Sequence, residues 1–160
     1  MTGPSEAMTP RLLQQGLERY LQVFTRLHLG LQGLDDCLTE QVEFRDPFNH
    51  VQGRAAVQRV LQHFIEHVSE PRFVIQHCAW SGSLCFVRWD FSGVVKGLGD
   101  WRFPGVSELL FDEQGRVLRH LDHWDAGTHF YSRLPLLGWL NRTLVARLTA
   151  VPQPPYKADE

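Results

Sequence analysis

The stretch LLFDEQGRVLRHLDHW, residues 109–124, contains two runs of β-forming residues around the polar turn Asp112-Glu113-Gln114-Gly115. A turn of this composition between two such runs is typical of a β-hairpin. The first run extends back to Trp101, and two further runs joined by short Gly- and Ser-containing turns precede it, at 73–80 and 84–95. The second half of the chain is therefore predicted to be an antiparallel meander.

Residues before the meander show helical periodicity. Thr9-Pro10 is typical of a helix start, and a helix over 10–28 is predicted from apolar residues three and four apart: Leu13, Leu17, Tyr20, Leu21, Phe24 and Leu27. Leu34, Cys37 and Leu38 predict a short second helix within 30–40, and the alternation over 42–46 predicts a first strand. The strongest helical pattern runs from Gly53 to Val68, with Pro71 just beyond it.

After the meander, Asp125 is placed to cap a final helix with an apolar stripe. That stripe consists of Phe130, Leu134, Leu137, Leu140 and Leu144, with Pro135 as a local interruption. We expect the helix to pack over the open end of the sheet. The alternative is that the stripe, flanked by Arg133, Arg142 and Arg147, lies on a membrane or a partner.

Composition excludes several classes of protein. Hydrophobic residues make up 43% and charged residues 21% of 160 residues, which is typical of one globular domain. The net charge of -2 and the pI near 6.4 disfavour nucleic acid as a partner. The unpaired set Cys37, Cys78 and Cys85 predicts reduced thiols and a cytoplasmic location, and no stretch is long and apolar enough for a membrane span.

The order of the predicted elements, together with several short motifs, resembles that of a known superfamily. VEFRDPF at 42–48, Gly53 with the helix after it, and the 109–124 hairpin together resemble the steroid Δ5-3-ketoisomerase, SnoaL-like and nuclear-transport-factor-2-like superfamily. The resemblance covers about residues 10–125 and is closest to SnoaL-like bacterial members of unassigned function. The Leu-Pro-Leu-Leu-Gly run at 134–138 is also similar to that subgroup.

The resemblance implies an α+β, cone-shaped (cystatin-like) fold. In it, a strongly curved, mostly antiparallel sheet wraps around an N-terminal helix, and a further C-terminal helix follows at about 126–148. The domain is expected to span residues 9–148, with disordered tails at 1–8 and 149–160. The resemblance also implies a homodimer and a small apolar or polyketide-, steroid- or terpenoid-like ligand, with no cofactor.

Alternation in the last strand gives an argument independent of the family. Side chains two residues apart share a face, so His120, Asp122 and Trp124 face one way while Arg119, Leu121 and His123 face the other. In the ketoisomerases the position of Trp124 lines the pocket, which implies that His120 and Asp122 point into the cavity. A carboxylate among aromatic side chains loses hydration, and its pKa rises toward the range useful for proton transfer.

The remaining site residues come from the resemblance. Asp46, in the D-P dipeptide before the third helix, matches the general base of the ketoisomerases. Ser107 lies where those enzymes keep a protonated aspartate, and Tyr20 lies roughly where their helix-borne tyrosine does. The expected acid–base residues are Asp46, His120 and Asp122; the expected pocket residues are Tyr20, Phe44, Arg88, Asp90, Ser107 and Trp124.

Each of these interpretations has an alternative. Asp46 before Pro47 is also a typical turn residue that bonds to local backbone, and His120 with Asp122 is also a plausible buried pair that only fixes the sheet. Arg88 and Asp90 share a strand face and either pair with each other or reach the pocket. Overall, the chain is either an isomerase, cyclase or epoxide-hydrolase-like enzyme or a non-catalytic binding or dimerising module.

A metal site is not expected from the sequence. His63 and His67 have the spacing of a zinc pair, but they lie off the apolar stripe and lack the glutamate of the H-E-x-x-H sequence. A solvated helix face is the simpler interpretation. Strand alternation likewise separates His123 from His120.

Overall fold

The computed structural model describes residues 5–150 of the chain. Its helices are α1 (Ser5–Thr25), α2 (Leu34–Cys37), α3 (Arg54–His67), α4 (Ala126–His129) and α5 (Pro135–Leu148), with 3₁₀ turns at Leu27–Leu29 and Tyr131–Arg133. Its strands are β1 (Leu38–Arg45), β2 (His50–Gln52), β3 (Val68–Ser81), β4 (Leu84–Val95), β5 (Gly99–Phe111) and β6 (Val117–His123).

The strands form one six-stranded curved sheet in the order β2-β1-β6-β5-β4-β3. Every neighbouring pair is antiparallel except β1 and β6, which run parallel. The predicted meander therefore corresponds to β3–β6, and the predicted α+β class with a mostly antiparallel sheet is confirmed. The parallel pair matters for function because it places the ends of β1 and β6 next to each other.

The core lies between α1 and the concave face of the sheet. Alternate residues of β4 are buried, namely Cys85, Val87, Trp89 and Phe91. Leu17, Tyr20 and Phe24 of α1 are buried against them. Burying each large apolar side chain contributes about 1.5–3 kcal/mol, so this helix and strand account for much of the stability of the domain.

Two glycines allow α1 to approach the β5–β6 turn closely. A Cβ atom on Gly16 would overlap the carbonyl group of Gly115, and a Cβ on Gly115 would overlap the carbonyl oxygen of Leu12. Gly115 also has φ +73°, a conformation that favours glycine. The carboxylate of Asp112 closes the turn by accepting from the backbone N–H groups of Gln114 and Arg116 at 2.9 and 2.8 Å.

The boundaries of several elements differ from the predictions because tertiary packing overrides local signals. Helix α1 begins at Ser5 rather than near residue 10, so Pro10 lies inside it. Pro71 lies within β3, at a register shift next to Glu70, which has φ 52°. Of the predicted tails, residues 1–4 and 151–160 lie outside the described part of the chain.

The predicted final helix is divided into three pieces. Asp125 caps α4 as expected, its Oδ1 accepting from the Thr128 N–H at 2.9 Å. A 3₁₀ turn follows, and Pro135 then starts α5, where its missing N–H does no harm. Phe130 packs over the open end of the cone, whereas the stripe residues Leu137, Leu140 and Leu144 of α5 are exposed. The expectation that the whole stripe covers the opening is therefore corrected to Phe130 and its neighbours.

Two further sequence expectations concern the cysteines and the membrane. Cys37, Cys78 and Cys85 are free thiols. Within residues 5–150, no helix has the length and apolar character that crossing a membrane would require.

Candidate functional site

The concave side of the sheet encloses a cavity of about 710 Å³, a volume typical of small-molecule sites. It is bounded by α1, α3, the strands and the segment around Phe130. Aromatic side chains make up much of its wall: Phe24, Phe44, Phe48, Phe64, Phe73, Trp89, Trp101, Phe103, Trp124 and Phe130. Such a wall favours an apolar ligand.

The aromatic side chains at the mouth form a connected cluster. The rings of Phe103 and Trp124 are stacked with centroids 4.3 Å apart, and Phe48 meets Trp124 edge-on at 5.3 Å. The indole N–H of Trp101 donates to the carbonyl oxygen of His129 at 3.0 Å, which fastens α4 to the sheet. The mouth of the cavity is therefore shaped by contacts between β5, the loop after β1 and the C-terminal segment.

Two carboxylates reach this apolar cavity from adjacent parallel strands. In the β1–β6 register Phe44 pairs with His120 and Arg45 with Leu121, so the next positions, Asp46 and Asp122, adjoin each other. Both border the main cavity and also an open groove on the other side of the sheet's end. Neighbouring strands lie about 4.8 Å apart, so the two backbones are close enough for their side chains to act on one substrate.

Asp122 is held by donors from inside the fold. His120 Nε2 lies 2.7 Å from its Oδ1, and the Ser107 hydroxyl donates to the same oxygen at 2.5 Å. Ser107 in turn accepts the indole N–H of Trp89 at 2.8 Å. The hydrogen bonds described for Asp122 all reach Oδ1, and the residue also borders the main cavity.

The Tyr20 hydroxyl extends this cluster to α1. It lies 2.8 Å from His120 Nδ1. One tautomer satisfies both contacts of the neutral ring: Tyr20 donates to Nδ1, and the Nε2–H donates to Asp122. Burial, followed by the nearby charge of Asp122, raises the pKa of Tyr20 well above its ordinary value, so the phenol keeps its proton and acts as a donor. We define Tyr20, Trp89, Ser107, His120 and Asp122 as the buried polar cluster.

The imidazole of His120 is enclosed by aromatic rings. Its centroid lies 4.9 Å from that of Phe44 and 5.5 Å from that of Phe24, both edge-on, and the residue is 3% exposed. A buried polar ring needs partners for its nitrogens, and Tyr20 and Asp122 provide them. The position of His120 is therefore fixed on all sides.

Asp46 is held by its own loop. Its Oδ1 accepts the backbone N–H groups of Phe48 and Asn49 at 2.7 and 2.6 Å, and the Asn49 amide donates to both carboxylate oxygens at 3.1 Å. Burial raises the pKa of Asp46, the hydrogen bonds from Asn49 and Phe48 lower it part of the way, and the charge of Asp122 raises it further. Asp46 is thus both a turn residue and a cavity residue.

The expected site residues lie in three places. Phe44, Asp46, Asp122 and Trp124 border the main cavity. Tyr20, Ser107 and His120 instead border a much smaller pocket behind Asp122, so they lie one layer deeper than expected.

Arg88 and Asp90 do not belong to the cavity. They lie on the outer face of β4, opposite the buried Trp89, with Arg88 Nη1 3.8 Å from Asp90 Oδ1 and Gln76 donating to Asp90 at 2.8 Å. Of the two alternatives for this pair, the structure shows mutual pairing, which corrects their inclusion among the pocket residues.

Some residues at the site were missed. Asn49 borders the cavity and orients Asp46; the D-P-F-N sequence could have indicated it, because an aspartate that starts a turn bonds to groups two and three residues later. Arg59, His63 and His67 of α3 lie at the rim of the cavity. Their position depends on how α3 packs, which helical periodicity alone does not give.

A sequence model of the SnoaL-like domain matches residues 17–120. No curated protein matches the chain.

Several solved structures resemble the chain over most of their own length. A nuclear-transport-factor-2-like protein of unknown function from Burkholderia pseudomallei is 19% identical, with a TM-score of 0.63, over 71% of this chain and 91% of that chain. An M. tuberculosis epoxide hydrolase described as LEH-like is 17% identical (TM-score 0.61; 88% of this chain, 96% of that chain). A steroid delta-isomerase from Pseudomonas aeruginosa is 21% identical (TM-score 0.57; 86% and 94%). At these identities the likeness shows the fold, and the predicted cone is confirmed.

Proposed function

Because the chain belongs to the SnoaL-like domain family, as its sequence predicted, we propose that it is a cofactor-independent enzyme that moves protons on a small apolar molecule. The observation that carries this proposal is the register that sets Asp46 beside Asp122 at the wall of an aromatic cavity. Two carboxylates in different surroundings are a recurrent basis for dividing acid and base roles.

In the proposed mechanism Asp46 is the base. A raised pKa makes its carboxylate a stronger proton acceptor near neutral pH. On a ketone, Asp46 removes a proton from the carbon next to the carbonyl and returns it to another carbon. On an epoxide, Asp46 takes a proton from a water whose oxygen bonds to a ring carbon, and the ring oxygen takes a proton from the carboxyl group of Asp122 as the ring C–O bond breaks.

Asp122 is the proposed acid or hydrogen-bond partner of the substrate oxygen. The donors to its Oδ1 fix its orientation, and the epoxide reaction requires Asp122, which is ionised in the free protein, to take up a proton before the ring opens. His120, Ser107 and Tyr20 act through Asp122 as positioning residues, because they border the pocket behind it rather than the main cavity. This arrangement replaces direct contact between His120 and the substrate, which the sequence suggested.

Substitutions that remove charge but keep shape test the proposal. The substrates are a small cyclic epoxide and a Δ5-3-ketosteroid, chosen because two similar folds are an epoxide hydrolase and a steroid isomerase. We expect turnover of one of them, with D46N and D122N each lowering kcat by about 10²–10⁴-fold and leaving ligand affinity nearly unchanged. D90N removes the same charge on the outer face of the sheet and is the matched control.

A second candidate function is ligand binding without turnover. It is favoured by the four hydrogen bonds of Asp46, all of which stay within its own loop and are compatible with a purely structural role. Under this function the wild type binds the probes, seen as quenching of tryptophan fluorescence in the cavity, but converts neither. Measured turnover that survives in both D46N and D122N would instead remove the two carboxylates from the mechanism.

The homodimer and the cytoplasmic location stay predictions. The outer face of the sheet leaves Val74, Phe86 and Val94 about 40% exposed, which is compatible with a dimer contact on that face. Sedimentation of the wild type and of an F86E variant would test it: a dimer that persists in F86E contradicts a contact through Phe86.

A further inference from the structure

Three side chains with metal-binding atoms lie together on α3, away from the buried polar cluster. His63, Glu66 and His67 each offer one ligand atom, and these atoms lie within 4.8 Å of one another. Positions i, i+3 and i+4 of a helix share one face, so the sequence H-F-I-E-H brings the three together without any tertiary contact. All three are exposed and can adjust to an ion.

A hydrogen bond already selects the nitrogen of His67 that suits a metal. Its Nδ1 lies 2.8 Å from the backbone carbonyl oxygen of His63. A carbonyl oxygen only accepts, so Nδ1 carries the hydrogen and Nε2 keeps its lone pair. Metal-binding histidines usually donate their other ring N–H to such a partner, which fixes the tautomer. The rings of His63 and His67 have centroids 4.0 Å apart, so their nitrogens lie on the same side of the helix.

The three metal-binding side chains of α3 lie beside the cavity. His63 and His67 border the cavity at its rim, while Phe64 between them is part of its aromatic wall. An ion on this face would therefore lie beside the cavity. Arg59, one turn before His63, also borders the rim and opposes a cation, while Glu66 supplies the compensating negative charge. Gln62 donates to Glu66 Oε1 at 3.0 Å and orients it.

We propose that His63, Glu66 and His67 bind one divalent transition-metal ion of the Zn²⁺ type at the rim of the cavity. Two imidazoles and one carboxylate are a ligand set that zinc accepts, and three protein ligands leave one coordination position open. That position is available to water or to an oxygen atom of an entering ligand. The sequence prediction of a plain solvated face considered the two histidines without Glu66. The site goes beyond the proposed function and does not depend on it.

Calorimetric titration of the untagged full chain with ZnCl₂ tests the site. We expect one ion per chain, with affinity lowered at least tenfold in H63A and in H67A and to a smaller extent in E66Q. Alanine is favourable in an exposed helix, so these variants should fold, and far-UV circular dichroism checks that they do. H77A, which removes an exposed histidine of β3, is the matched control and should bind as the wild type does.

Cobalt substitution gives a second measurement that does not depend on heat of binding. Co²⁺ held by these ligands should give visible d–d absorption bands in the wild type and in H77A, and these should be absent from H63A/H67A. The proposal is overturned if the wild type binds no stoichiometric Zn²⁺, or if the double variant binds Zn²⁺ and Co²⁺ as tightly as the wild type.

Discussion

Asp46 and Asp122 are neighbours across the β1–β6 pair, but they are held in different ways. The donors to Asp122 come from the buried polar cluster, which connects β6 to β5. The cluster also connects β6 to α1, because His120 contacts Tyr20, 100 positions earlier in the chain. The donors to Asp46 come from Phe48 and Asn49, two and three residues along the chain. The orientation of Asp122 therefore depends on the whole fold, whereas that of Asp46 depends on one loop.

The largest loss of stability should come from substituting His120, which contacts both Tyr20 and Asp122. H120A removes a ring enclosed by Tyr20, Phe24 and Phe44 and leaves the Tyr20 hydroxyl without its partner. We expect a loss of about 3 kcal/mol or more in the free energy of unfolding, measured by urea denaturation. H77A on the exposed face of β3 should change it by less than about 0.5 kcal/mol. Equal effects in the two variants would contradict the structural role of the cluster.

A smaller effect is expected from the Tyr20 hydroxyl alone. Y20F keeps the packing of the ring but leaves His120 Nδ1 without a donor, which should cost about 1–2 kcal/mol in urea denaturation. The exposed Tyr131 offers a matched control, because Y131F removes the same hydroxyl at a solvated position. If Y20F is as stable as Y131F, the hydrogen bond to His120 contributes nothing to the fold.

Substituting Asn49 tests how strongly the loop after β1 holds Asp46. N49A removes the amide that donates to both oxygens of Asp46 but keeps the backbone donors, so we expect a loss of about 0.5–1 kcal/mol. Because that amide lowers the pKa of Asp46, N49A should raise this pKa further. Carboxyl NMR titration checks the direction. A pKa that stays in place or falls would show that Asn49 does not stabilise the ionised form.

The smallest expected effect is the contribution of Asp46 to the pH dependence of stability. Its pKa is raised on folding, mainly by burial, so the folded chain binds this proton more tightly than the unfolded chain. The wild type should therefore lose stability relative to D46N as pH rises from about 4, the ordinary value for aspartate, through the raised pKa. Urea denaturation of both proteins at several pH values measures the difference. A gain in the stability of the wild type relative to D46N over that range would contradict a raised pKa for Asp46.

The two carboxylates also differ in how far the sequence predicts them. Alternation along β6 places Asp122 and Trp124 on the inner face, and the structure agrees. Alternation does not give depth, so it could not show that His120 lies behind Asp122 rather than beside it. The neighbour relation between Asp46 and Asp122 needed the parallel pairing of β1 with β6, which is a long-range contact that no local pattern encodes.

Other differences follow from the same limitation. Alternation along β4 places Arg88 and Asp90 on one face but does not show which face that is. Trp89 is buried, so Arg88 and Asp90 lie on the outer face of the sheet. The three-residue β2 is too short to show a period. The apolar stripe of α5 has the same sequence pattern whether it is covered or exposed, and in the structure Leu137, Leu140 and Leu144 are exposed.

Carboxyl NMR titration of Asp46 in the wild type and in D122N measures most directly whether Asp46 and Asp122 act as a coupled pair at the cavity. The charge of Asp122 contributes to raising the pKa of Asp46, so removing that charge should lower it. We predict a raised pKa for Asp46 in the wild type, a small downward shift in D122N because burial remains the main cause, and no shift in D90N. An Asp46 pKa that is the same in all three proteins would contradict the pair.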